Sequence, residues 1–158
     1  MVTIAPVSDQ FDRFEDLLAL ILSAFAFMDD RIDPPSSAHR LTPMLLKDKA
    51  GAEIGFLAEE NGTLLGCIFC KPETGSLYIG KLAVLPGAQG RGLGLRLLAA
   101  AEAEARRLGL SRLRLETRIE LIENHERFAR WGFSRTAERS HAGYDRITYI
   151  EMTKQLEA

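Results

Sequence analysis

The chain changes from a strand pattern to a helix pattern within one short segment, KLAVLPGAQGRGLGLRLL at residues 81–98. Its apolar run at residues 82–85 predicts a strand, and Pro86 ends that strand because proline cannot donate a hydrogen bond to a strand ladder. After Gly94 apolar residues recur at helical spacing, and Gly109 predicts the end of the helix. Glycines in the first turn leave the unpaired helix N–H groups free of side chains. The segment therefore predicts an anion site suited to phosphate or pyrophosphate, although a tight strand-to-helix turn also explains the glycines.

Two common phosphate-binding motifs do not fit this segment. The P-loop requires Gly-Lys-Ser/Thr at the start of the helix, where this chain has Gly92-Leu93-Gly94. The dinucleotide fingerprint requires a third glycine at the position that Leu95 occupies. The pattern that remains is Gln89-x-x-Gly92-x-Gly94, directly after a strand that ends in Val-Leu-Pro.

This pattern resembles the acyl-CoA-binding motif of the GNAT superfamily of N-acetyltransferases. Two later blocks, LRLET at residues 113–117 and NHERFARWGF at residues 124–133, resemble the next strand and the following helix of that family. The resemblance is specific over residues 77–133 and plausible in order and length elsewhere. It implies acetyl-CoA as co-substrate and no metal. The residues that it assigns to acetyl-CoA are Leu82, Ala83, Val84, Gln89, Gly90, Arg91, Gly92, Leu93, Gly94, Asn124 and Phe128.

The pattern of the whole chain predicts one α/β domain over residues 1–158, because this length suffices for one sizeable core and hardly for two. We expect a mixed, mostly antiparallel sheet of six to seven strands flanked by about four helices. Asn61-Gly62 is a strong hairpin signal, and the strands at 82–85 and 113–117 are joined by a crossover helix, so they run parallel. The resemblance implies that these two strands splay apart and admit the pantetheine arm. The predicted strands are 2–5, 53–58, 64–71, 77–85, 112–117, 133–139 and 146–153, and the predicted helices begin at residues 9, 44, 92 and 124.

Composition excludes several classes of function. The net charge of −2 argues against nucleic acid as a partner, and the apolar run at residues 17–28 is too short to span a membrane. The N-terminus lacks a signal-peptide pattern, which favours a cytoplasmic protein. Cys67 and Cys70 form a C-x-x-C, but residues three apart on a strand point to opposite faces, so we expect core residues and no metal or redox site.

The charge is unevenly distributed along the chain. Residues 1–80 carry a net charge of −6, and residues 91–118 carry +4. The basic segment suits an anionic cofactor, and the acidic part suits a cationic substrate. Asp29, Asp30 and Asp33 lie in the loop that, by the resemblance, forms one wall of the acceptor site, where they would meet an amine. A solvated loop with Asx turns is the alternative.

The resemblance assigns roles in acetyl transfer to the ends of two strands. Attack of an amine on a thioester needs a neutral amine and a donor for the carbonyl oxygen that becomes negative. The N–H of Val84 is the implied donor. Glu116 is the candidate base, although this carboxylate alternatively pairs with Arg114 or Arg118.

The candidate acid departs from the family pattern. The family often has a tyrosine four residues after the asparagine, and here that residue is Phe128, which has no proton to give. Either the thiolate leaves unaided, or Tyr144 from the last loop substitutes, or catalysis is slow. Asn124 is expected to bind the cofactor arm, although a helix N-cap explains it equally well.

These observations favour an acetyl-CoA-dependent N-acetyltransferase acting on a primary amine of a small molecule or peptide. A non-catalytic acyl-CoA-binding or sensing module is the alternative, and Phe128 is its main support. The sequence leaves open whether the protein forms a homodimer. His39, His125 and His141 are predicted to be surface or loop residues.

Overall fold

Within residues 1–157, which a computed structural model describes, seven strands form one sheet with helices on both faces. The strands are β1 (Thr3–Pro6), β2 (Ile54–Glu60), β3 (Thr63–Pro72), β4 (Ser76–Val84), β5 (Arg112–Arg118), β6 (Ser134–Arg139) and β7 (Tyr149–Gln155). The helices are α1 (Phe14–Phe25), α2 (Pro43–Ala52), α3 (Leu93–Arg107) and α4 (Ile122–Arg130). The strand order is β1-β2-β3-β4-β5-β7-β6.

The predicted sheet topology is confirmed. Strands β2, β3 and β4 form an antiparallel meander, and β4 pairs with β5 in parallel. Asn61 and Gly62 have φ values of 51° and 81°, the two positive values of a hairpin turn whose twist matches that of the strands. The crossover from β4 to β5 runs through α3, as the parallel pairing requires.

The sheet separates two apolar clusters. Helix α3 buries one face, with Leu97 and Leu98 among its fully buried side chains, against residues such as Leu113 of β5. Helices α1 and α2 cover the other face, where Leu17 and Leu46 pack with Phe69 of β3. Burial of each such side chain contributes about 1.5–3 kcal/mol, so both helix layers are held mainly by apolar packing.

The two cysteines lie in different clusters, on opposite sides of the sheet. Cys70 packs in the cluster under α3, and Cys67 packs in the cluster under α1. Burial raises the pKa of each thiol to about 12, so both are held as neutral thiols. They serve as small apolar core residues.

Two predicted starts are wrong by three residues or more, and the others agree within two residues. Helix α1 begins at Phe14 rather than at residue 9, because the preceding residues form a turn in which the Phe11 N–H donates to the Ser8 carbonyl, and the Phe11 ring packs edge-on against Phe14. The last strand begins at Tyr149 rather than at residue 146, because the backbone bends at residues 145 and 146.

The longest apolar helix is α1, with 12 residues. Among residues 1–157, no helix combines the length and the apolar character that a bilayer crossing requires.

Candidate active site

The parallel pair β4 and β5 separates toward its C-terminal ends. The two strands are paired only from Ser76 opposite Arg112 to Ile79 opposite Leu115, although β4 continues to Val84 and β5 to Arg118. The partner of β3 in β4 jumps from Ile79 to Lys81, which leaves Gly80 as an extra residue in a bulge. A bulge bends its strand and increases the local twist. The sheet therefore opens into a gap between β4 and β5.

The glycine segment after β4 builds one side of the gap. Gly90 and Gly92 have φ values of 84° and 76°, which L side chains rarely adopt, and Gly92 is the N-cap of α3. A Cβ added at either glycine would meet nothing within 4 Å. At Gly94 a Cβ would lie 3.2 Å from the Trp131 ring, so this glycine allows α3 to pack close to the end of α4. The start of α3 thus borders space that no side chain of Gly90 or Gly92 fills, as an anion site at a helix N-terminus requires.

A cavity of about 470 Å³, which we call the glycine cavity, lies over these residues. Of the eleven residues assigned to acetyl-CoA by sequence, the structure brings ten to its lining, all except Arg91. The Arg91 guanidinium instead donates to both oxygens of Glu60, at 3.2 and 3.0 Å. Two cations that the sequence interpretation missed, Arg127 and Arg130, also line the glycine cavity. Their three-residue spacing on α4 places them on one helix face, and this spacing could have indicated from the sequence that they act together.

A second cavity of about 620 Å³, which we call the loop cavity, also borders the gap. Its walls include residues 34–37 and 140–142 together with the C-terminal halves of β4 and β5. The two cavities meet, because both are lined by the same five residues, which are Phe25, Met28, Leu82, Asn124 and Phe128.

Glu116 lines the loop cavity and is held by two neighbours. Its Oε1 accepts from the Tyr78 hydroxyl at 3.3 Å, and its Oε2 accepts from Arg114 Nη1 at 3.1 Å. Burial, followed by the Glu116 charge, raises the pKa of Tyr78 to about 12, so the phenol stays protonated and remains a donor.

The Arg114 guanidinium is the centre of an ion-pair network. It donates to both carboxylate oxygens of Glu73, at 2.9 and 2.8 Å, reaches Glu151 at 3.3 Å, and lies 4.4 Å from the centre of the Tyr78 ring. The hydrogen bonds to Glu73, and to a smaller extent the one to Glu116, raise the pKa of Arg114. The network fixes the position of Glu116 on β5.

The loop cavity also contains cations. Lys81 is half-buried, with its Nζ 3.5 Å from Ser37 Oγ and 5.8 Å from the Phe25 ring centre. Burial, with a smaller effect from Lys49, lowers the pKa of Lys81. Arg40 lines the same cavity. Arg118 donates to the carbonyls of residues 34 and 35, at 2.5 and 3.1 Å, so it holds the loop that forms the cavity wall.

His141, predicted to be a surface or loop residue, lines the loop cavity. Its Nδ1 lies 2.5 Å from Oγ1 of the buried Thr148, and its ring packs 4.9 Å from that of Tyr149. Burial, followed by the charge of Arg118, lowers the pKa of His141, which favours the neutral imidazole at pH 7. The sequence showed no partner at motif spacing, because Thr148 meets His141 only through the closing of the β6–β7 loop.

The remaining predicted residues lie outside both cavity linings. The Tyr144 hydroxyl donates to Asp33 Oδ1 at 2.7 Å, and this bond raises the pKa of Tyr144. Asp29 contacts His39 Nε2 at 2.6 Å, and Asp30 is exposed. All four of these acidic and phenolic side chains are therefore exposed or bonded within the loops rather than turned into the gap.

Comparisons with known proteins agree with this geometry. Residues 16–133 match the sequence profile described as "Acetyltransferase (GNAT) family". An "IAA acetyltransferase" of Azospirillum brasilense is 36% identical over 104 residues, which are 64% of this chain and 66% of that protein, so the match spans just under two thirds of the relative's length.

Solved structures with the same fold include two with bound coenzyme. The PaiA N-acetyltransferase of Thermoplasma acidophilum, in complex with coenzyme A, has a TM-score of 0.79 at 16% identity, over 97% of this chain and 99% of that one. A GNAT family acetyltransferase of Elizabethkingia anophelis, with acetyl-CoA bound, has a TM-score of 0.70 at 21% identity, over 98% of each chain.

Proposed function

Because this chain belongs to the GNAT family of acetyltransferases, which take the acetyl group from acetyl-CoA, we propose that it transfers that group to the nitrogen of a primary amine. We propose that the whole chain forms one acyltransferase domain. One observation carries the proposal: the glycine cavity and the loop cavity meet at Leu82, Asn124 and Phe128, at the gap between β4 and β5. Two substrates, one in each cavity, would meet there.

The glycine cavity is the proposed site of acetyl-CoA, which supplies the acetyl thioester. The N–H groups from Gly90 to Gly94 and the N-terminus of α3 suit its pyrophosphate, and Arg127 and Arg130 add positive charge to the same cavity. Leu82 to Val84 lie in the part of β4 that does not pair with β5. Backbone groups there that point away from β3 are therefore available to pair with the amides of the pantetheine arm.

Val84 is the proposed donor to the carbonyl oxygen. The N–H of the next residue, Leu85, donates to Leu65 of β3 at 2.8 Å. Because successive N–H groups of a strand point to opposite sides, the Val84 N–H points away from β3 and toward the gap. A backbone donor fixed in this way stabilises charge on the oxygen as it develops.

Glu116 is the proposed base, acting from the loop cavity. It takes a proton from the ammonium of the acceptor, directly or through water, and leaves a neutral amine. The amine nitrogen then forms a bond to the acetyl carbon, the carbon–sulfur bond breaks, and the nitrogen loses a second proton. The departing thiolate takes up one proton, so the products are the N-acetyl amine and free coenzyme A. Tyr144 is not part of this proposal, because its hydroxyl is bonded to Asp33 outside the cavity.

A coenzyme A sensor without turnover is the second candidate. Phe128 supports it, because this ring lines the joint of the two cavities and has no proton for the thiolate.

Release of free thiol from acetyl-CoA, measured with a panel of primary amines, separates the two functions. We expect at least one amine to release thiol at a rate above acetyl-CoA hydrolysis, with the N-acetyl product identified by mass. Coenzyme A binding, measured by calorimetry, is the control. Binding without turnover on any amine would favour the sensor, and absence of binding would contradict both functions.

A further inference from the structure

The loop cavity carries an excess of positive charge. Its lining contains the cations Arg40, Lys81 and Arg118 and one carboxylate, that of Glu116. Among the ion pairs formed within residues 1–157, none involves any of the three cations. Arg118 is committed to loop carbonyls, which leaves Lys81 and Arg40 as cations without a counter-ion.

The position of Lys81 is unusual for a structural lysine. The residue is half-buried, and within residues 1–157 its ammonium has one hydrogen-bond partner, the Ser37 hydroxyl. The nearby lysine, Lys49, adds repulsion, and its own partner Glu53 lies 2.8 Å from Lys49 Nζ. A desolvated charge is normally paired. The missing partner is therefore expected to be an anion that enters the cavity.

The wall of the gap opposite Lys81 carries a negative charge, that of Glu116. Glu116 follows the last paired residue of β5, and Lys81 lies on β4 beyond the last paired residue of that strand, so the two side chains flank the gap. Lys81 also directly precedes Leu82, which lines the joint of the two cavities. An anion held by Lys81 would thus lie close to a group positioned for acetyl transfer.

We propose that the acceptor is a primary amine that also bears a carboxylate, as an amino acid does. Lys81 and Arg40 bind the carboxylate, and the amino group faces Glu116. This assignment rests on the proposed transfer to an amine and adds the class of acceptor. It differs from a cationic acceptor held by Asp29, Asp30 and Asp33, none of which lines the loop cavity.

The test compares each of four amino acids with the amine that lacks only its carboxylate: alanine with ethylamine, leucine with 3-methylbutylamine, phenylalanine with 2-phenylethylamine, and tyrosine with tyramine. The amide of each amino acid is a third member, which keeps the size and removes the charge. Thiol release gives kcat/KM, and calorimetry on the coenzyme A complex gives the Kd of the N-acetylated forms. In at least one set, we expect the amino acid to have a kcat/KM at least tenfold higher than that of the amine or the amide. If the kcat/KM of the members without a carboxylate is equal or higher in every set, the inference is wrong.

Variants test the role of Lys81. Lys81→Met is expected to reduce the preference for the carboxylate at least tenfold, through a change in KM or Kd. Lys81→Arg is expected to keep most of this preference, which would show that the loss in Lys81→Met is not a folding defect. Lys71→Met is the matched control, because Lys71 is exposed and lines neither cavity. Preference retained in Lys81→Met would contradict the assignment.

The two proposals fail in different ways. If no amine is acetylated but the N-acetyl amino acids bind more tightly than their uncharged analogues, and Lys81→Met removes this difference, acetyl transfer is wrong and the anion site stands. If amines are acetylated without regard to the carboxylate, the anion site is wrong and acetyl transfer stands.

Discussion

Gly92→Val tests whether the start of α3 is the phosphate site. In the free protein a Cβ at residue 92 meets nothing within 4 Å, so the direct cost is backbone strain at a φ of 76°. Such strain costs on the order of 1–3 kcal/mol, which a domain with a typical stability of about 5–15 kcal/mol tolerates. Gly109→Val is a matched control, because Gly109 has a φ of 75°, also has nothing within 4 Å, and follows the other end of α3.

The two variants separate strain from lost binding. Both are expected to lose similar stability, but only Gly92→Val places a side chain where the backbone must touch pyrophosphate, so its coenzyme A affinity falls at least tenfold, about 1.4 kcal/mol. Coenzyme A at 100 times the wild-type Kd should raise the free energy of unfolding by about 2.7 kcal/mol for wild type and Gly109→Val, and by about 1.4 kcal/mol or less for Gly92→Val. Denaturant unfolding with and without ligand, together with calorimetry, measures both quantities. Equal affinity in the two variants would refute the phosphate site and with it the assignment of the glycine cavity.

Three further changes test the remaining chemistry. Glu116→Gln is expected to lower turnover by on the order of 10²-fold and to alter the acid limb of the pH–rate profile, with coenzyme A affinity unchanged in calorimetry; a wild-type rate across pH would show that another group is the base. Phe128→Tyr places a phenol at the joint of the cavities and is expected to raise turnover with unchanged coenzyme A affinity; loss of coenzyme A binding would show that the ring serves only the core. The Arg114 guanidinium lowers the pKa of Glu73, so this carboxylate stabilises the fold above its ordinary pKa of 4.5, and the contribution is lost as the pH falls through the lowered value. Glu73→Gln is therefore expected to reduce stability at pH 7 and to approach wild type below pH 4.5 in denaturant titrations; a difference independent of pH would refute the ion-pair explanation.

Local sequence signals were sufficient to predict the sheet and the lining of the glycine cavity. The Asn61-Gly62 turn, the proline after the strand at residues 82–85 and the helical spacing after Gly94 each act within a few residues, and backbone preferences at that range are set by the residues themselves. Ten of the residues assigned to acetyl-CoA line one cavity for the same reason, since nearly all of them belong to one continuous strand–turn–helix unit.

The loop cavity is formed by contacts between segments that are distant in the sequence. Glu116 meets Tyr78 across 38 positions of the chain, Arg114 meets Glu73 across 41, and Lys81 meets Ser37 across 44. No periodicity or spacing encodes such neighbours, because they arise when the packed helices and the Gly80 bulge bring separate strands and loops together.

The same limit explains the acidic loop. Asp33 and its neighbours looked like a wall for a cation because their charge is visible in the sequence, but a side chain's direction depends on its tertiary partners, here Tyr144 and His39. The sequence by itself thus determined the fold, the family and most of the lining of the glycine cavity. Only the tertiary structure decided which charges line the loop cavity, because that depends on which distant side chains neutralise one another and which are left without a partner.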